Sequence, residues 1–252
     1  MNTNSRNSSS ANVSPALILA LSCAALLAAA LAGTHLSSRV IAAPLPSLAS
    51  PAAMESDKGE FRISVNGQPV GTESFEIRPD GNRWIAQGTA DVKPTDGPAS
   101  KITSHLTLQP DGTPLSYDWK TEGTKKASAE IQFQNSIATV NLHLEGRKPF
   151  TQQFTFSSPM VVILDNNLYH QYAVLARLYD RTKKGSQTFA VLVPQEMTPG
   201  SVTVDSIADP TDTSPGELKV QTSDLEVDLY IDAKGRLMRL VAPASNAEVI
   251  RK

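Results

Sequence analysis

"DNNLYHQYAVLARLYD", residues Asp165 to Asp180, decides how the rest of the chain is read. Leu168, Tyr172, Leu175 and Tyr179 recur at spacings of four, three and four, which is one face of an α-helix, with Ala176 beside it. Asp165, or Asn166 after it, stands where a cap would accept hydrogen bonds from the first free amides. His170, Arg177 and Arg181 fall on another side, with Val174 between them. The spacing predicts a helix that buries its Leu/Tyr stripe and leaves its His/Arg side in water. Burying four such side chains is worth roughly 6 to 12 kcal/mol before entropy.

Around this helix the period is two. "FRISV" puts Phe61, Ile63 and Val65 on one face, and "ESFEI" does the same for Phe75 and Ile77. "ITSHLTL" places Ile102, Ser104, Leu106 and Leu108 on one face and Thr103, His105 and Thr107 on the other. Asn66-Gly67, Pro79-Asp80-Gly81-Asn82 and Pro110-Asp111-Gly112 are turn signals between such runs. "LSYDW", "AEIQF", "ATVNLHL" and "FTQQFTF" continue the alternation to Phe156, and "VVIL" leads into the helix. Beyond it, "TFAVLV", "SVTVDSI", "ELKVQT", "LEVDLYI" and "LMRLVA" follow, with Asp232-Ala233-Lys234-Gly235 joining the last two. Alternation with one polar face denotes antiparallel sheet that is wet on one side. The expected fold is mainly β: a curved antiparallel sheet, half-barrel or open barrel, of about 11 to 13 strands, with one helix packed on its apolar face.

The beginning of the chain has a different character. A polar start with one cation, Arg6, precedes the uncharged run "ALILALSCAALLAAALA", Ala16 to Ala32, as in a secretory signal. Small residues suit cleavage after Ala42, or alternatively after Ala32. The run is about 17 residues against the roughly 20 of a spanning helix, so an uncleaved inner-membrane anchor over residues 16–32 is the alternative. Residues 1–42 are thus read as the signal, 43–57 as a disordered Pro/Ala/Ser linker, and 58–252 as one β-rich domain. The expected location is periplasmic or secreted.

The chain's one cysteine, Cys23, lies inside the apolar run, where it is poorly placed for lipidation. After cleavage at Ala42 there is neither disulfide nor thiolate chemistry, and the core must hold the fold unaided. Loss of Arg6 and Arg39 moves the formal net charge from −2 to −4. Nucleic acid, which usually needs a basic face, is not an expected partner.

"VILDNNLYHQYAVLARLYD", "GSQTFAVLVPQE" with Pro194-Gln195-Glu196, and "DAKGRLMRLVAP" with Gly235-Arg236-Leu237 resemble an uncharacterised family of exported bacterial β-rich envelope proteins. The overall plan also resembles the LolA/LolB-like half-barrel. That second resemblance implies an open sheet curled around helices and carriage of lipid anchors.

Most chemistries lack their residues. No Gly-x-Ser-x-Gly elbow occurs, and only His170 lies on the helix, where a zincin needs two histidines. His105 and His143 sit on polar strand faces, and His35 leaves with the signal. Leu164-Asp165 and Asp212-Thr213-Ser214 each match only part of an aspartic peptidase motif. Glu226 and Asp228 share a strand face about 7 Å apart, a spacing a glycosidase pair could use, but solvated alternating acids are commoner. No phosphate loop, metal site or cofactor is expected.

These readings favour an exported, non-catalytic envelope protein that binds a lipid or other apolar ligand between sheet and helix. Leu168, Tyr169, Tyr172, Leu175 and Tyr179 would line the ligand site. One alternative is a packed interaction or scaffold module with an envelope protein partner. Another is a hydrolase using Asp165, His170 and a strand hydroxyl, with Arg177 beside them. Membrane contact is expected only through the N-terminal segment, if it is uncleaved.

Overall fold

Alternating residues build the molecule into sheet. The computed structural model describes residues 54–94, 97–124, 126–183, 185–207, 216–222 and 225–252. The segment expected to be a signal or an anchor, the expected linker up to residue 53, Cys23 and Asp212-Thr213-Ser214 lie outside the described residues. Eight strands come first: β1 (Asp57–Val65), β2 (Gln68–Asp80), β3 (Arg83–Val92), β4 (Ser100–Leu108), β5 (Pro114–Gly123), β6 (Ala127–Gln134), β7 (Ile137–Leu144) and β8 (Phe150–Thr155). Then come β9 (Val161–Ile163) and the one α-helix among the described residues, α1 (His170–Leu178). β10 (Gln187–Val193), β11 (Thr198–Ser206), β12 (Gly216–Gln221), β13 (Glu226–Ile231), β14 (Leu237–Ala242) and β15 (Ala247–Arg251) complete the chain.

All fifteen strands belong to one sheet, ordered β8-β7-β6-β5-β4-β3-β2-β1-β15-β14-β13-β12-β11-β10-β9. Every pairing is antiparallel except β9 with β10, which α1 connects in parallel. β8 and β9 follow each other in sequence yet form the two edges, so the sheet is curved but not closed into a barrel. The positive φ values at Asn66 and Gly67, 52° and 73°, give the two-residue hairpin that matches strand twist. β10 and β14 end in matching corners: a short 3-10 turn opened by Pro194 or Pro243, closed by left-handed Met197 or Asn246.

The fifteen strands exceed the upper expectation by two: the short run before the helix pairs as β9, and β15 has no strand signal of its own. Its five residues, "AEVIR", are too short to stand out until they pair with β1 along Phe61↔Arg251 to Val65↔Ala247. That pairing joins the two ends of the described chain at the middle of the sheet. Order also begins earlier than Lys58. Met54 and Asp57, placed in the linker, are 6% exposed, and Asp57 opens β1.

The helix is shorter than the stretch from Asp165 to Asp180 and is buried nearly all round. Asp165 does not cap it, and neither does Asn166. Tyr169 occupies the cap position and makes no side-chain cap bond. Leu168, Leu175 and Tyr179 are at most 1% exposed, as the stripe requires, while Tyr172 is only partly buried. The expected wet side is overturned at two of its three positions: His170 is 0% and Arg177 5% exposed, and only Arg181 faces water. Helical spacing locates an apolar face, but a curved sheet wraps the other faces as well.

Candidate functional site

β2 carries the acid that makes burial of His170 possible. In "ESFEI", Glu73 shares the inward parity of Phe75 and Ile77, and it is 0% exposed. Its Oε2 accepts the backbone N–H of Tyr169 at 2.7 Å and of His170 at 3.2 Å. Its Oε1 lies 2.5 Å from His170 Nδ1. One carboxylate thus caps the helix from another element and orients the imidazole, with its charge near the positive end of the helix dipole. The ring stacks on Phe75 at 6.3 Å between centroids. Gly88 on β3 provides the floor: a Cβ there would fall 2.6 Å from His170 Cε1 and Nδ1 and 2.8 Å from Glu73 Oε1. With Nδ1 engaged, Nε2 is the free nitrogen, and it has no hydrogen-bond partner among the described residues.

A second cluster closes around Asp165. Tyr117 Oη donates to Asp165 Oδ2 at 2.7 Å, and Gln171 Nε2 donates to Tyr117 Oη at 3.0 Å. Gln171 Oε1 accepts the Asp165 N–H at 2.5 Å, and the Gln195 N–H donates to Asp165 Oδ1 at 2.8 Å. Burial is the larger influence on Asp165 and pushes its carboxyl up to about 7, against the lowering pull of the Gln195 and Tyr117 bonds. Burial and the adjacent Asp165 charge raise the Tyr117 hydroxyl well above the usual phenol range.

Strand register links the two clusters. Phe75, Gly88, Ser104 and Trp119 form one inward row, each directly opposite the next across β2 to β5. The Ser104 hydroxyl lies beside Tyr117 yet closes no hydrogen bond of good geometry, and Trp119 Nε1 also has no partner among the described residues. A carboxylate, an imidazole and a hydroxyl are therefore gathered on the inner face, all buried.

Arg177 closes the other end of the helix. Its Nη2 lies 3.3 Å from Asp57 Oδ2, while Arg251 of β15 reaches Asp57 Oδ1 at 2.6 Å. Asp57 thus ties β1, α1 and β15 together.

The structure divides the proposed hydrolase residues. Asp165, His170 and Arg177 do not form one site: each has its own partners. Glu73 and Ser104 carry no motif that points to them, and the one local signal is Glu73 as a charge at an inward position of an alternating strand. Of the two acids of β13, the side chain of Glu226 is exposed to solvent, while that of Asp228 is mostly buried, and both pair with one lysine. Lys219 lies 2.7 Å from Glu226 and 3.5 Å from Asp228. His105 is partly exposed and His143 exposed. No group of three metal-ligating side chains occurs among the described residues, nor a helix long and apolar enough to cross a membrane. Two open surface grooves, about 440 and 530 Å³, lie at hairpin rims, around Val70 and Lys101 and around Asn66 and Glu248. Neither includes a residue of α1 in its lining.

No family model matches the chain, and no curated protein matches its sequence. Among solved structures it is similar to a β-barrel-like protein of the domain of unknown function DUF1849 from Brucella abortus. The TM-score is 0.51 at 9% identity, covering 81% of this chain and 97% of that one. A DUF1089 family protein from Pseudomonas aeruginosa aligns at a TM-score of 0.42 and 11% identity, over 78% of this chain and 95% of that one. The first likeness places the chain among β-barrel-like folds, and neither says what it binds.

Proposed function

We propose that the protein is a non-catalytic, packed β-module of the bacterial cell envelope that acts through its outer surface on a protein partner. One observation carries this reading: the concave face is filled. Leu168, His170, Gln171, Leu175 and Tyr179 are all at most 1% exposed. A lipid between sheet and helix would have to displace that stripe, at a cost of several buried side chains of about 1.5 to 3 kcal/mol each. The envelope location rests on the signal-like layout of residues 1–42. Native mass spectrometry of the protein purified from a bacterial host tests the reading. The bare chain mass is expected, unchanged after incubation with oleate. An acyl lipid retained in stoichiometric amount would replace the module with a carrier.

A hydrolase is the second reading, and a specific observation favours it. Glu73, His170 and Ser104 supply the carboxylate, imidazole and hydroxyl of a nucleophilic serine site from three elements. Their burial and the missing His170–Ser104 bond weigh against it. Labelling of Ser104 by a fluorophosphonate probe, lost in His170→Ala, would establish the enzyme; an unlabelled protein removes it.

A further inference from the structure

The two edges of the open sheet are unequal. β9 is three residues long, and all three are at most 3% exposed. β8 is six residues long, "FTQQFT", with no charge, no proline and no bulge in its pairing with β7. These are the devices by which proteins blunt a free edge. Its ladder fixes which backbone groups face outward. Phe156 N–H donates to Ser136 O at 2.8 Å, so by antiparallel alternation the bonded pairs are Ala138/Phe154, Val140/Gln152 and Leu142/Phe150. The N–H and C=O groups of Thr151, Gln153 and Thr155 therefore point away from β7. All three residues are exposed.

We infer that β8 pairs antiparallel with β8 of a second copy of this chain, about a two-fold axis at Gln153. Such pairing sets Thr151 against Thr155 and Gln153 against itself, so the outward donors and acceptors of each copy meet those of the other. On the inner face, Phe150, at 52% exposure the most exposed large apolar side chain among the described residues, comes opposite Phe156. Charge is compatible. The flanking cations Arg147 and Lys148 fall opposite Pro159 and Ser158 of the other copy, so no like charges meet across the seam. An unrelated strand would need side-chain pockets beside the edge to be selected. A two-fold pair needs only this self-complementarity. The inference goes beyond the module reading and does not depend on it, because a lipid carrier with this edge would pair in the same way.

Light scattering after size exclusion, over roughly 1 to 200 µM, tests it on the full chain. A concentration-dependent dimer is expected for the wild type and a monomer for Gln153→Pro. The substituted N–H faces outward, so the backbone ladder of β7–β8 and the far-ultraviolet dichroism stay unchanged, and only the exposed Gln153–Thr139 side-chain bond is lost. Should the proline variant lose sheet signal, the double variant Thr151→Lys, Thr155→Lys replaces it. It sets lysines against each other only in the pair and is also expected to be monomeric. In a Cys23→Ala background, Gln153→Cys should form an interchain disulfide on mild oxidation at least tenfold faster than Lys101→Cys, far from the edge. A wild type monomeric throughout, a dimer that survives these edge substitutions, or equal cross-linking at both cysteines would overturn the inference.

Discussion

At its N-terminal end α1 meets Glu73, a carboxylate whose partners are two backbone amides and one imidazole; at its C-terminal end Arg177 meets Asp57, a carboxylate held by two guanidiniums. Both acids stand at inward positions of the first two strands, and both are nearly inaccessible. The N-terminal arrangement serves groups that any helix start leaves open, so its acid replaces a local cap with a distant one. The C-terminal one joins three chain segments, β1, α1 and β15, and has a redundant cation. A buried carboxylate is held by what it satisfies: removing Glu73 strands three donors, whereas removing Arg177 leaves Asp57 its other arginine.

That asymmetry predicts an order of damage. Glu73→Ala is expected to be the most destabilising, by about 3 to 5 kcal/mol, because a dry site loses a charged partner and two amides go unsatisfied. Glu73→Gln, which keeps an acceptor for the amides, should recover part of the loss in urea melts. Arg177→Ala should cost about 2 to 3 kcal/mol, well above a surface change and below Glu73→Ala. Equal losses at the two ends would break the comparison. Gly88→Ala tests the floor beneath the imidazole. Its methyl would collide with the His170 ring, for about 1 to 3 kcal/mol, and a Gly88→Ala, His170→Ala double variant should lose less than the sum of the two.

A further expected effect is one of pH. Asp165, just before the helix, has a folded-state value near 7 against an ordinary value of 3.8, so between these the fold holds a proton that the unfolded chain releases. Its contribution is fully present below about pH 4 and is lost as pH rises through about 7. Wild-type thermal melts should therefore lose stability from pH 5 to 8 relative to Asp165→Asn, whose amide cannot ionise. A parallel pH profile for the two proteins would show that the Tyr117–Asp165 cluster does not set it.

How much of this was legible follows from which interactions are local. Period-two alternation in "FRISV", "ESFEI" and "ITSHLTL" and the turns at Asn66-Gly67 and Pro110-Asp111-Gly112 determined an antiparallel, one-sided sheet. The Leu168, Leu175, Tyr179 spacing determined a helix with an inward face, because side-chain direction repeats within a few residues. Only the tertiary structure decided that His170 and Arg177 are buried, since that depends on acids 97 and 120 residues away. The same holds for β15, whose five residues become a strand by pairing with β1. It holds too for the open seam between β8 and β9, where the chain supplies two neighbours in sequence and the curvature of the whole sheet decides whether they meet.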